Sequence, residues 1–572
     1  MSVKIINVGT LLFTSAIVVG CGGGGGGSSD SSRQTPNSVS APNVTLNATS
    51  TEVFQGDSIT LTWSASNATS CNASGSWTGN ISLNGTQNFS TVAPGTNTYT
   101  LNCTNGSSTS TAQVVVTIKG YFAEVSNSIT VDRPYKPTVA SNTTYLDVNG
   151  DKKDDLVVHM WSMENFGKAV GNLPCNSQVQ IFIFDNGKFT NETTKYLPGS
   201  TSLGGCSRKV ARGDINNDGK EDLVYAINQE DGRLTANMYD IFAPMAALVS
   251  TGSTYTIRQF GTPSWYHSIG IGYNIKNEIF VNGNGFTSVN NTSSFLFDSA
   301  GTHKLSAGAP SVSPTTFQFY NSQGTATWTN YLLQASNSFG NFTTVEGHVQ
   351  NTNGVWSNLQ SLVLAPKVGT VNTISYTGEQ GGTQPVFKLN DKNITIAGLV
   401  ESCQMKLSPD GENVVLFMLA GAIIPNFYEG MTVEQNNLKA GLSVFKATKV
   451  VGNNIVEVPL NIRNEQTDKL GNNFDCKDIN GDKYNDIVMY PFSENGLPVV
   501  YLNDKKGGFD YFDMSKIVTT GNLGWGGAAS SIVNDFDKDG IPDLLLFPSN
   551  SYSSNIPNVW RFFKGQKLLV TQ

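Results

Sequence analysis

Four nine-residue stretches carry oxygen-bearing side chains at one fixed rhythm. They are DVNGDKKDD from Asp147, DINNDGKED from Asp214, DINGDKYND from Asp478 and DFDKDGIPD from Asp535. Positions 1, 3, 5 and 9 are Asp or Asn in all of them: Asp147, Asn149, Asp151 and Asp155; Asp214, Asn216, Asp218 and Asp222; Asp478, Asn480, Asp482 and Asp486; Asp535, Asp537, Asp539 and Asp543. Carboxylate and amide oxygens are hard ligands, and their number suits Ca²⁺ at six or seven coordination. A backbone carbonyl at position 7 (Lys153, Lys220, Tyr484 or Ile541) would complete each ring, and a glycine at position 4 or 6 permits the tight wrap. The expectation is about four calcium ions, one per loop.

These loops must be held by whatever follows them. An EF-hand loop needs a bidentate Glu at position 12 and then a helix. Position 12 here is Val158, Tyr225, Met489 or Leu546. The continuations DLVVHMW, DLVYAI, DIVMYPF and DLLLFPS are apolar and rich in β-branched residues, which predicts a buried strand directly after each loop. This loop-then-strand pattern resembles the FG-GAP or VCBS repeats of integrin-α-like β-propellers. The resemblance implies that each loop joins the first two strands of a four-stranded blade.

Spacing supports a repeat architecture over residues 120–572. Asp147 to Asp214 is 67 residues and Asp478 to Asp535 is 57, while the 264 residues between Asp214 and Asp478 divide into four steps of 66. Three repeats without the acid set are therefore expected. IGYNIKNEIFVNG (271–283), TATWTNYLLQAS (325–336) and LSPDGENVVLFML (407–419) are their candidates. Four acid loops and three degenerate repeats predict seven blades. The last blade lacks one strand, and GYFAEVSNSITV (120–131) is expected to supply it, which would remove an exposed sheet edge.

The rest of the chain reads as an exported protein. Lys4, an apolar run of about 15 residues and VVGC ending at Cys21 resemble a bacterial lipobox, shorter than the roughly 20 residues of a membrane span. The resemblance implies a signal peptide over 1–20 and lipidation of Cys21. The CGGGGGGSSDSS stretch then begins a flexible tether over 21–41. Without Cys21, six of the seven cysteines remain. Neighbour pairing is the simplest of their connectivities: Cys71 with Cys103, Cys175 with Cys206, Cys403 with Cys476. Residues 42–119 alternate in SITLTWSAS, TYTLNCT and TAQVVVTI, with turn residues between, and resemble a bacterial immunoglobulin-like module. Trp63 precedes Cys71, unlike the antibody order, so the antibody disulfide geometry is not carried over. The predicted fold class is all-β: a small Ig-like β-sandwich followed by a seven-bladed β-propeller.

Charge and motif narrow the function. A net charge of −8 with only four histidines argues against a nucleic-acid partner. His159, His267, His303 and His348 lack metal-ligand spacing, and there is no P-loop and no G-x-S-x-G elbow, so no catalytic residue is assigned. Trp161, Trp265, Tyr266 and Trp525 lie in aromatic loop stretches that could stack on sugars or anchor a protein. The expectation is a calcium-stabilised lipoprotein of the outer membrane, facing outward or the periplasm, that binds a protein or cell-surface partner. A lectin-like or polysaccharide-processing propeller is the alternative.

Overall fold

The computed structural model describes most of residues 40–572; residues 1–39 and several internal stretches, among them 163–176, 229–242, 284–294, 305–316 and 423–441, lie outside the described residues. The described chain is all-β, and its one α-helix is the single turn Thr193–Tyr196. No described helix is long and apolar enough to cross a membrane. The chain divides into two compact units. One comprises Met1–Leu46, Trp63–Gly85 and Thr100–Gln113; the other comprises Asn47–Thr62, Thr86–Tyr99 and Val114–Gln572.

Strict alternation makes Ser58–Ser66 (SITLTWSAS) a half-buried strand, with Ile59, Leu61, Trp63 and Ala65 inside and their neighbours out. In the first unit Trp63 and Trp77 meet edge to face at 5.3 Å, and their indole N–H groups donate to the carbonyls of Ser82 and Thr100. The Cys71–Cys103 disulfide joins Ser70–Gly75 to Gly95–Thr104. Those strands are neighbours in one sheet, so this bond does not bridge two sheets as it would in an antibody domain.

The second unit is a succession of sheets. Val139–Leu146, Asp155–Ser162, Gln178–Asp185 and Lys188–Asn191 pair in sequence order. The same meander recurs over 206–264, 268–304 and 396–458, and with an extra strand over 317–363. Over 461–512 a further strand, Asn461–Arg463, joins parallel to Gly508–Phe512. In the last sheet, Gly527–Asn534, Asp543–Ser551 and Val559–Gly565 are completed by Phe122–Thr130, which runs antiparallel to Val559–Gly565 from Thr130 opposite Val559 to Phe122 opposite Gly565. The segment expected to close the last sheet therefore does so, and a two-pronged Arg561–Glu124 ion pair fastens it. KLLVT does not form a strand over its described residues, but Leu569 is buried. The first strand of each of these groups contacts the first strand of the next, and Val139–Leu146 pairs antiparallel with Asp543–Ser551 at Ala140 and Asn550, so that the first and last groups form one eight-stranded sheet.

The second strands read as unbroken apolar runs because both of their faces are covered. In Asp486–Pro491, Val488 and Tyr490 enter the core shared with the last sheet, while Ile487 and Met489 enter the core shared with the 396–458 sheet. In Asp155–Ser162, Leu156, Val158 and Met160 face the last sheet's core and Val157 faces that of the 206–264 sheet. His159 shares that second side. Its ring meets Tyr225 edge to face at 4.8 Å; both are fully buried, and neither ring nitrogen nor the hydroxyl has a partner among the described residues.

The three stretches without acid sets fall at first-to-second strand junctions. Ser268–Tyr273 and Ile279–Gly283 cover 271–283, Trp328–Gln334 lies within 325–336, and Ile396–Lys406 and Asn413–Ala422 flank the turn of 407–419. Cys403 and Cys476 are disulfide-bonded, joining the first strands of adjacent sheets. Cys206 begins the strand Cys206–Gly213, whereas Cys175 and Cys21 lie outside the described residues.

Candidate metal loops

All four acid stretches connect the first and second strands of their sheets, and they share one conformation. The position-1 carboxylate accepts the N–H of position 5 on one oxygen: Asp151 to Asp147 at 3.1 Å, Asp218 to Asp214 at 3.1 Å, Asp482 to Asp478 at 3.0 Å and Asp539 to Asp535 at 3.0 Å. Its other oxygen accepts the N–H of position 6, from Lys152, Gly219, Lys483 or Gly540. The position-3 oxygen also takes the position-5 N–H, and the position-5 carboxylate takes that of position 7. These short-range bonds let Asp and Asn curl the backbone around their own oxygens.

The curl needs two left-handed residues per loop. Positions 4 and 6 both have positive φ: Gly150 and Lys152, Asn217 and Gly219, Gly481 and Lys483, Lys538 and Gly540. Each loop has glycine at only one of these positions, as its sequence predicts. A lysine or asparagine bears the strain at the other. Position 2, which is Val148, Ile215, Ile479 or Phe536, is buried and anchors the loop to the core.

The ninth aspartate differs from the side chains at positions 1, 3 and 5. Asp155, Asp222, Asp486 and Asp543 are at most 1% exposed. One oxygen accepts the N–H of position 2, at 3.0, 2.8, 3.0 and 3.0 Å respectively. The other reaches across the sheet to the end of the third strand, accepting the N–H of Phe184, Ser250, Asn503 or Gly565 at 2.8, 2.7, 2.8 and 2.8 Å. A single carboxylate thus ties the loop, the second strand and the third strand together. Burial pushes these carboxyls up, to about 6 for Asp155 and Asp222, about 7 for Asp543 and about 8 for Asp486. Nearby loop acids add to the rise, opposed by the backbone N–H bonds.

Each loop thus gathers an all-oxygen donor set that runs from exposed at Asp151, Asp218 and Asp539 to buried at the ninth aspartates. Ligand oxygens of Asp535, Asp537 and Asp539 lie within 4.8 Å of one another. In the other three loops position 3 is an asparagine, whose amide oxygen is an equally hard donor. The donors are all oxygen, as Ca²⁺ requires, and offer no soft or imidazole ligand for a transition metal.

Lysines that no spacing in the sequence points to lie on two of the loops. Lys505 is 3.1 Å from Asp482, and Lys564 pairs with Asp537 and lies 3.5 Å from Asp539. Asp154 in the first loop accepts from Lys538 of the fourth loop at 2.8 Å and from Asn534 at 2.9 Å, so the first and fourth loops are joined directly. Asp154 and Lys538 stand 384 residues apart in the chain, and no local pattern announces their pairing. Of the aromatic candidates, Trp161 lies in the strand Asp155–Ser162; Trp265, Tyr266 and Trp525 lie outside the described residues.

Residues 147–225 and 478–546 match the family model of the FG-GAP-like repeat. Each match begins at position 1 of an acid loop and ends in a second strand that follows one. No curated protein matches the chain. Among solved structures, a quinonprotein alcohol dehydrogenase-like protein from Bacteroides thetaiotaomicron aligns over 56% of this chain and 94% of its own, at 8% identity and a TM-score of 0.24. A mutant of AofleA from Arthrobotrys oligospora aligns over 60% of this chain and 91% of its own, at 10% identity and a TM-score of 0.23. Likeness at that level assigns neither an activity nor a ligand to this chain.

Proposed function

We propose that each acid loop holds one calcium ion, about four in all. The side chains at positions 1, 3, 5 and 9 and the carbonyl at position 7 are the ligands. The observation that carries this reading is the fourfold recurrence of one oxygen-lined curl, each ended by a buried aspartate. Bound Ca²⁺ supplies the positive charge that lets clustered carboxylates stay ionised. The protein's share is to pre-curl the loop through its own N–H bonds and to transmit its order to the third strand through the ninth aspartate.

We further propose that the sheets of 139–191, 206–264, 268–304, 317–363, 396–458, 461–512 and 527–565 with Phe122–Thr130 are the seven blades of a propeller. The strand-to-strand succession described above supports that reading. Preceding it, an Ig-like module and a lipid on Cys21 make the chain a display device on a bacterial outer membrane, and the propeller is its binding head for a protein or cell-surface partner. Calcium stabilises that head and takes no part in a reaction.

Melting in excess calcium and in excess EGTA tests the first claim. At a hundredfold excess over Kd each site contributes about 2.7 kcal/mol, so chelation is expected to lower the melting temperature by roughly 10 °C or more. An unchanged melting curve would remove calcium from the account. A panel of extracellular-matrix proteins and a glycan array, probed with and without calcium, tests the second. A protein hit with silent glycans is expected; a glycan hit alone would make the head a lectin.

A further inference from the structure

We infer that the four loops form two calcium-affinity classes, because an in-chain lysine lies on a ligand carboxylate of the third and fourth loops and of neither the first nor the second among the described residues. This rests on the calcium reading above and concerns how strongly each site is filled.

Both lysines come from one place in the fold. Asn503 and Gly565 end their third strands by donating N–H to the ninth aspartates Asp486 and Asp543. Lys505 follows Asn503 by two residues, and Lys564 immediately precedes Gly565. The clamp that orders the loop therefore also delivers an ammonium group to it, Lys505 to Asp482 and Lys564 to Asp537 and Asp539. At the matching points of the first two loops, Phe184 is flanked by Ile183 and Asp185, and Ser250 by Val249 and Thr251; Asn186 and Gly252 follow. None of these is a cation.

The fourth loop carries a second mark of the same design. It alone has aspartate at position 3, where the others have asparagine. That added carboxylate, Asp537, is the one Lys564 takes. The extra negative charge and the extra positive charge occur in the same loop and touch each other.

An ammonium group beside ligand oxygens acts in two ways. Its three N–H donors occupy lone pairs that Ca²⁺ must have, and its charge repels the entering ion. Lys505 and Lys564 are 42% and 41% exposed, so each can swing into water when calcium arrives. The sites are weakened without being closed. The first and second loops fill at low calcium. The third and fourth fill at higher calcium, and the fourth lies in the sheet completed by Phe122–Thr130. In the absence of calcium that closing sheet has its own counter-ion.

Isothermal titration of the calcium-free full chain in detergent tests this. Two classes of about two sites each are expected, at least tenfold apart in Kd, which places the weaker class toward the 10⁻³ M end of extracellular modules. The pair Lys505→Gln and Lys564→Gln should tighten the weaker class at least tenfold and merge the two. Lys505→Arg with Lys564→Arg keeps the charge and should keep the two classes. Lys449→Gln, which removes a lysine paired with Glu412 away from all four loops, should leave the isotherm within twofold. Four equivalent sites in the unaltered protein, or a Gln pair that changes nothing while calcium still binds, would overturn the inference and leave the calcium sites standing. No calcium heat at all would overturn the calcium reading itself, and this inference with it.

Discussion

Two adjacent sheets, 396–458 and 461–512, solve the same problem differently. In the first, Ile396–Lys406 passes to Asn413–Ala422 through a tight turn in which Gly411 donates its N–H to the Ser408 carbonyl at 3.1 Å. In the second, Gly471–Lys477 passes to Asp486–Pro491 through the nine-residue acid loop. Both deliver a fully buried second strand: Val415 to Met418 in one, Ile487 to Tyr490 in the other. An acid loop is therefore not needed to build such a sheet. What it adds is a buried carboxylate that grips the third strand, and a curl of Asp and Asn oxygens held by the loop's own N–H groups. The turn, by contrast, leaves Asp410 exposed and burdens nothing.

Removing the two aspartates separately gives the largest contrast. Asp486→Ala leaves the N–H groups of Ile479 and Asn503 without their acceptor in the core, and should cost on the order of 3 kcal/mol in urea unfolding. Asp410→Ala should stay within about 0.5 kcal/mol. Equal costs would mean that the ninth aspartate is an ordinary loop residue.

A second contrast lies inside the buried strands. The 413–422 strand buries only apolar side chains over Val414 to Leu419, whereas the 155–162 strand buries His159. Burial pushes the His159 imidazole down to about 3. A depressed histidine is neutral in the fold while the unfolded chain takes up a proton below about 6.5. The contribution of His159 to stability is thus full above that pH and is lost as pH falls toward 3. The loss should reach about 2 kcal/mol at pH 5. His159→Leu should flatten that part of the stability–pH curve; a curve of unchanged slope would show that His159 is not the group responsible.

The smallest effect separates one left-handed position as two different loops fill it. Gly219 has φ +85° with open space around its Cα, so Gly219→Ala should cost about 1 kcal/mol through backbone strain alone. Lys483 already bears that strain at the same position of the third loop, φ +71°. Lys483→Gly should be neutral or stabilising by a few tenths of a kcal/mol. Thermal melts of both variants, read as a pair, would show whether the curl or the side chain matters there.

Much of this was legible in one dimension because the relevant bonds are short. Position 1 reaches positions 5 and 6, position 3 reaches 5, and position 5 reaches 7, so the spacing of Asp and Asn already dictates the curl. The apolar runs after each loop announced strands with both faces covered, and Trp63, Cys71 and Cys103 marked a small core with its bond. The positive φ at Lys152, Lys483 and Lys538 was not legible, because lysine ordinarily avoids that conformation and gives no signal of adopting it.

The amino-acid order alone therefore determined where the Asp and Asn oxygens gather, that strands follow them, and that the segment around Phe122–Thr130 was free to complete the last sheet. Only the tertiary structure decided that each ninth aspartate spends an oxygen on Phe184, Ser250, Asn503 or Gly565, and that Lys538 meets Asp154. It alone decided that Lys505 and Lys564 lie on the later loops and that His159 faces Tyr225. The physical reason is range: a loop that bonds to itself is written in its own spacing, whereas a contact between strands or sheets depends on which surfaces the whole chain brings together.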